Sequence, residues 1–73
     1  MARSIKIIMI EKIKRLMEFN GMNQKKLSQL TGLSPVLISR YLSSKRKPTI
    51  ELAVKTSKVF DVSLDWLLKD EYK

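Results

Sequence analysis

The chain has 73 residues, 44% of them apolar, a formal net charge of +8, and neither cysteine nor histidine. That length supports one domain and one core, too small to add an enclosed substrate cavity of ordinary size. Without cysteine or histidine there are no disulfides, no zinc–thiolate site and no imidazole base, so no cofactor or small-molecule ligand is expected. The chain reads as a single domain over residues 1–73, with residues 1–8 extending its first helix.

The first segment, Met-Ala-Arg-Ser-Ile-Lys-Ile-Ile-Met-Ile, sets a basic residue before an apolar run. Lys6 interrupts that run, Glu11 and Lys12 end it, and no small-residue cleavage site follows, so it is not read as a signal peptide. No apolar stretch is long enough to cross a bilayer, and the missing cysteines suit a reducing compartment; a cytoplasmic protein is expected.

Helical spacing of Met9, Ile13, Leu16 and Met17 predicts a first helix from Ser4 to Asn20, stopped by Gly21. Glu11, Lys12, Lys14, Arg15 and Glu18 are expected on its solvent side. Ile5, Ile7, Ile8, Met9 and Ile10 are more apolar residues than one helix can turn toward its own core. A homodimer contact through Ile5 and Ile8, joined by Leu64, is one explanation; a wide apolar face on a long helix is the other.

Two short helices come next. Asn23 caps a helix over Gln24 to Thr31, expected to bury Leu27 and Leu30. Gly32 suits the left-handed position past its end, and Ser34 caps a third helix that opens on Pro35, where a missing N–H costs nothing. That helix runs to Ser43 and buries Ile38, Tyr41 and Leu42, with Leu33 packing ahead of it. A basic loop, Ser44-Lys45-Arg46-Lys47-Pro48, leads to the cap Thr49 and a fourth helix over Ile50 to Phe60. Leu52, Ala53, Thr56, Val59 and Phe60 face inward there. Ser63 caps a last short helix carrying Leu64, Trp66, Leu67 and Leu68. No segment alternates with strand period, so the fold class is all-α: a compact bundle of five short helices.

The second and third helices, joined by a glycine turn, have the layout of a helix-turn-helix, whose second member enters the major groove of DNA. Charge placement agrees. No acidic residue lies between Phe19 and Ile50, a window holding Lys25, Lys26, Arg40, Lys45, Arg46 and Lys47. A surface that approaches phosphates needs such a window. With Ile38, Tyr41 and Leu42 inward, the outer face of the third helix centres on Val36, Ser39, Arg40 and Ser43, bordered by Pro35 and Leu37. Val36 can pack on a thymine methyl, Ser39 can donate or accept, and Arg40 can bond guanine O6 and N7. Gln24, at a helix N-terminus, is placed to meet a phosphate, as are Lys45, Arg46 and Lys47 just after the third helix. The expected partner is double-stranded DNA.

These residues resemble the Cro/C1-type, XRE-like family of helix-turn-helix regulators. The likeness covers about residues 9–68 and rests on Gly-Met-Asn-Gln (21–24), Leu-Ser-Gln-Leu-Thr-Gly-Leu-Ser (27–34), Ile-Ser-Arg-Tyr (38–41), Lys-Arg-Lys-Pro (45–48) and Val-Ser-Leu-Asp-Trp-Leu-Leu (62–68). It implies a lambda-repressor-like domain, a prokaryotic or phage-type repressor that acts at the nucleoid as a homodimer on a palindromic operator. It also implies DNA contacts at Gln24, Ser34, Pro35, Val36, Ser39 and Arg40; Pro35 joins the base contacts, and Ser34 and Ser43 join the backbone contacts. Three departures stand out. Pro35 and Val36 replace residues that are often polar, Ser44 replaces a frequent glycine, and Met17 and Leu42 replace a buried Arg–Glu pair common in such proteins. Exchanging both partners of a buried ion pair for apolar residues is often neutral or stabilising.

Two other readings compete. A protein-interaction module, anti-repressor-like or antitoxin-like, could reuse the same helix pair. An enzyme is disfavoured, because the carboxylates are scattered, no nucleophile has a base beside it, and no glycine-rich phosphate loop exists.

Overall fold

The computed structural model describes residues 5–69. They form α1 (Ile5–Phe19), α2 (Gln24–Thr31), α3 (Pro35–Leu42), α4 (Ile50–Phe60) and α5 (Leu64–Leu68), with no strand among the described residues. The expected start of α1 at Ser4 lies outside them.

Each helix after the first begins where its cap is written. Backbone amides donate to the side-chain oxygens of Asn23 (from Lys26, 2.8 Å), Ser34 (from Leu37, 3.1 Å), Thr49 (from Leu52, 3.2 Å) and Ser63 (from Trp66, 3.0 Å). Each bond satisfies a first-turn N–H that has no partner inside the helix.

The ends are equally local. At Gly21 (φ +60°) the Met22 amide donates to the Met17 carbonyl and the Gly21 amide to that of Glu18, closing α1 in a Schellman motif. The end of α3 repeats this pattern without glycine. The Lys45 amide donates to the Arg40 carbonyl (3.0 Å) and the Ser44 amide to that of Tyr41 (3.2 Å), with Ser44 at φ +64°. The loop therefore keeps the glycine conformation and bears the Cβ cost, roughly 1–2 kcal/mol, part of which glycine would return as unfolded-state entropy. Ser44→Gly is accordingly expected to stabilise the domain by about 0.5–1 kcal/mol, raising Tm by a few degrees in a thermal melt.

The long α1 is the spine, packing on α5, α3 and α4, while α2 packs on α3 and α4. Met9, Ile10, Ile13 and Met17 of α1 meet Leu27, Ile38, Tyr41, Leu42, Leu52, Ala53 and Leu67 in one core. Met17 and Leu42 are both buried, as their apolar exchange requires.

Three expectations need correction. Leu30 is 48% exposed, not buried. The inner arc of α2 is Leu27, Ser28 and Thr31; at about 100° per residue Leu30 falls beyond its edge. Polar groups fill that arc because they tie the turn: the Ser28 hydroxyl donates to the Leu33 carbonyl, and Thr31 Oγ1 donates to Leu27 and accepts from the Leu33 amide. Ile8 is 2% exposed, so it belongs to the interior of its own chain and offers no dimer contact. Leu64 is half-buried against the core, and Ile5 and Ile7 remain exposed. Lys12, expected in solvent, is 3% exposed. It sits one turn beyond Ile8 on the α1 face that α5 covers, and its Nζ donates to the carbonyls of Trp66 and Lys69 while lying 4.4 Å from the centre of the Trp66 ring.

Candidate nucleic-acid interface

Burial of Ile38, Tyr41 and Leu42 fixes the roll of α3. Its opposite face then presents Pro35, Val36, Ser39, Arg40 and Ser43 to solvent, and Val36 is 61% exposed. These five residues and Lys45 line one shallow depression of about 450 Å³. An apolar patch, a hydroxyl pair and two cations thus share a single strip one helix wide. The Schellman turn puts Lys45 there, since it fixes the chain direction immediately after Leu42.

A second cleft, about 550 Å³, adjoins the first through Ser39 and Ser43. Gln24 of α2 lines it, so the residue expected to meet a phosphate stands beside the outer face of α3. Met17 and Leu42 contribute to the same cleft, with Lys14, Glu18 and Met22. Ser34 is exposed at the other end of α3, its oxygen accepting from the Leu37 amide as the cap.

The basic loop divides. Arg46 and Lys47 line a separate concavity with Lys6, Ile7, Ile10, Ser44 and Pro48, on the side of α1. The Arg46 guanidinium lies 6.0 Å from the centre of the Tyr41 ring. Of the three loop cations, Lys45 alone is among the residues that line the α3 strip.

Lys14 and Glu18, which periodicity assigned only to solvent, line the cleft beside the candidate residues. A signal existed: they flank Met17, whose inferred partner Leu42 lies on the candidate recognition helix.

The family model described as "Helix-turn-helix" matches residues 13–67. This chain belongs to the Cro/C1-type helix-turn-helix family. The match embraces α2 to α4, the C-terminal half of α1 from Ile13 on, and all but the last residue of α5. Among solved structures, this helix-turn-helix protein is similar to the P22 c2 repressor protein in complex with a synthetic operator, at 33% identity and a TM-score of 0.70, covering 84% of this chain and 92% of that one. It shares its fold with the N-terminal DNA binding domain of SinR from Bacillus subtilis (24% identity, TM-score 0.78, 90% and 97% covered). The same holds for a transcriptional regulator from Listeria innocua (23%, TM-score 0.72, 89% and 61% covered). No curated protein matches the chain by sequence.

Proposed function

We propose that this helix-turn-helix protein is a sequence-specific transcriptional regulator, a repressor, that lays α3 in the major groove of an operator. The observation that carries the reading is the strip of Pro35, Val36, Ser39, Arg40, Ser43 and Lys45 on the exposed face of a helix whose other face is locked in the core. Membership of the family and the likeness to an operator-bound repressor support it.

Each side chain then has a task. Val36 and the Pro35 ring exclude water against a thymine methyl, Ser39 bonds a base edge, and the Arg40 fork takes guanine O6 and N7. Gln24, Ser34, Ser43 and Lys45 hold the phosphate backbone and set register without reading sequence. Arg46 and Lys47, set to the side, reach only phosphates flanking the site. A two-fold dimer would place two α3 helices about one turn of duplex apart, on a palindromic site. No helix among the described residues is long and apolar enough to cross a membrane; the reading assigns the protein to the cytoplasm, at the nucleoid.

Selection from a randomised duplex library at two salt concentrations tests this. Enrichment of a two-fold symmetric sequence, with affinity falling steeply in salt, is the expected result. Retention without enrichment would leave a non-specific binder, and no retention would favour a protein-interaction module. On the selected site, Arg40→Ala should weaken binding about 5- to 150-fold and relax preference at one base pair, following the 1–3 kcal/mol of a bidentate guanine contact. Equal loss on selected and scrambled duplexes would make Arg40 a phosphate contact.

A further inference from the structure

The acid-free window from Phe19 to Ile50 holds along the chain but not in space. Glu18 stands one residue before it, and the close of α1 brings that residue into the cleft lined by Gln24, Ser39 and Ser43. It is the single carboxylate among the residues lining either depression on this face. Lys14, one turn earlier on α1, lines the same cleft. Residues four apart on a helix are neighbours, yet no ion pair joins these two among the described residues. The cleft therefore carries one fixed cation and one fixed anion beside the helix expected to read DNA.

We infer that Glu18 is an electrostatic brake on DNA binding, acting directly on the phosphate backbone that crosses the α1–α2 side of the interface, and that Lys14 is its attractive counterpart. This rests on the DNA-binding reading above. With α3 in the major groove, the strand bordering that groove runs past Gln24 and along the cleft. A carboxylate in the cleft wall repels every phosphate that enters, whatever the base sequence. Non-specific binding is almost wholly electrostatic, whereas specific binding adds base contacts at α3. In a protein of net charge +8 such a carboxylate holds down the sequence-independent attraction beside the reading surface, on specific and non-specific DNA alike, and so limits how long the chain is retained off its site. Screening confines the effect to low and moderate salt, because the Debye length is about 10 Å at 0.1 M.

The test is fluorescence anisotropy of the full chain on the selected duplex and on a scrambled one, across a salt series. The variants are Glu18→Gln, Lys14→Gln and the double variant, with thermal melts confirming that each folds. Glu18→Gln should tighten binding about 3- to 10-fold at low salt, at least as much on scrambled as on selected DNA, with the gain fading as salt rises. Lys14→Gln should weaken both duplexes alike and flatten the salt slope by about one unit. The gain from Glu18→Gln should persist in the Lys14→Gln background; its disappearance would mean that Glu18 acts only by neutralising Lys14, and would overturn the inference. Weakened binding confined to the selected duplex would also overturn it, making Glu18 an acceptor from a cytosine amine. No change on either duplex would overturn it too, while wild-type affinity left the DNA-binding reading intact. If the wild-type chain bound neither duplex, that reading would itself fail.

Discussion

Leu42→Glu is expected to destabilise the domain by about 3–5 kcal/mol at neutral pH, the usual cost of a buried charge with no partner. Leu42 is buried on α3 and shares the cleft with Met17, also buried, which can offer a carboxylate nothing; Lys14, exposed on its own helix, is the one cation in that lining. For a domain of this size total stability is roughly 4–11 kcal/mol, so urea denaturation should show the variant close to unfolded. The introduced carboxyl resists ionisation in the folded state, so its folded pKa lies above its unfolded one. The folded chain then holds its proton to higher pH than the unfolded chain does. The penalty is thus full above the folded pKa and shrinks as pH falls through it. Met17→Arg alone should also destabilise. Met17→Arg with Leu42→Glu should recover most of the loss, with a coupling of about 2 kcal/mol or more in the cycle. Additive losses would mean that the two side chains do not face each other, and that their joint exchange is coincidence.

That pair illustrates what a sequence can carry. Met17 and Leu42 are related by resemblance and by helical phase, and both signals survive folding because each concerns a face turned fully inward. The four caps, the two glycine ends and the roll of α3 were legible for a similar reason: their causes lie within a turn of chain. The misreadings came from elements that meet across space. Leu30 has the right spacing from Leu27, but the turn at Thr31–Leu33 draws polar groups into the inner arc instead. Glu18 looks harmless because its position in the cleft depends on how α1 ends and where α2 begins. Ile8 invited an intermolecular contact, since an isolated helix gives no sign of how much of its surface the rest of the chain buries. The division of the basic loop was hidden as well, because three consecutive cations look alike in sequence although Lys45 lines the α3 strip and Arg46 and Lys47 line a different concavity.

Lys12 is the extreme case, and its replacement is the other large effect expected. A lysine between Glu11 and Ile13 gives no hint of burial. In the fold its ammonium holds the C-terminal end of α5 through the Trp66 and Lys69 carbonyls, with the Trp66 ring over the charge. A helix of five residues leaves its last carbonyls without partners inside the helix; the Trp66 carbonyl takes the Lys69 amide as well as the Lys12 ammonium, and the Lys69 carbonyl takes the same ammonium. Lys12→Met keeps the stem and its packing but removes the donors. Two charge-assisted hydrogen bonds are worth roughly 1.5–3 kcal/mol each, and the ammonium's desolvation cost is recovered when it goes. The net loss should be about 2–3 kcal/mol by urea denaturation. Its distribution distinguishes a clamp from a merely tolerated charge. Loss of a clamp should speed amide exchange at Leu67 and Lys69 ahead of α3, and red-shift the fluorescence of Trp66, the single tryptophan. The outer strip of α3 should be untouched, because α5 packs on α1 and α4. At temperatures where Lys12→Met stays folded, its discrimination between selected and scrambled duplexes should equal that of the wild type. Stability within about 0.5 kcal/mol of wild type would show that packing alone holds α5, with the two carbonyls finding water. Lost discrimination with stability retained would place Lys12 in the DNA site instead, against its burial beneath α5.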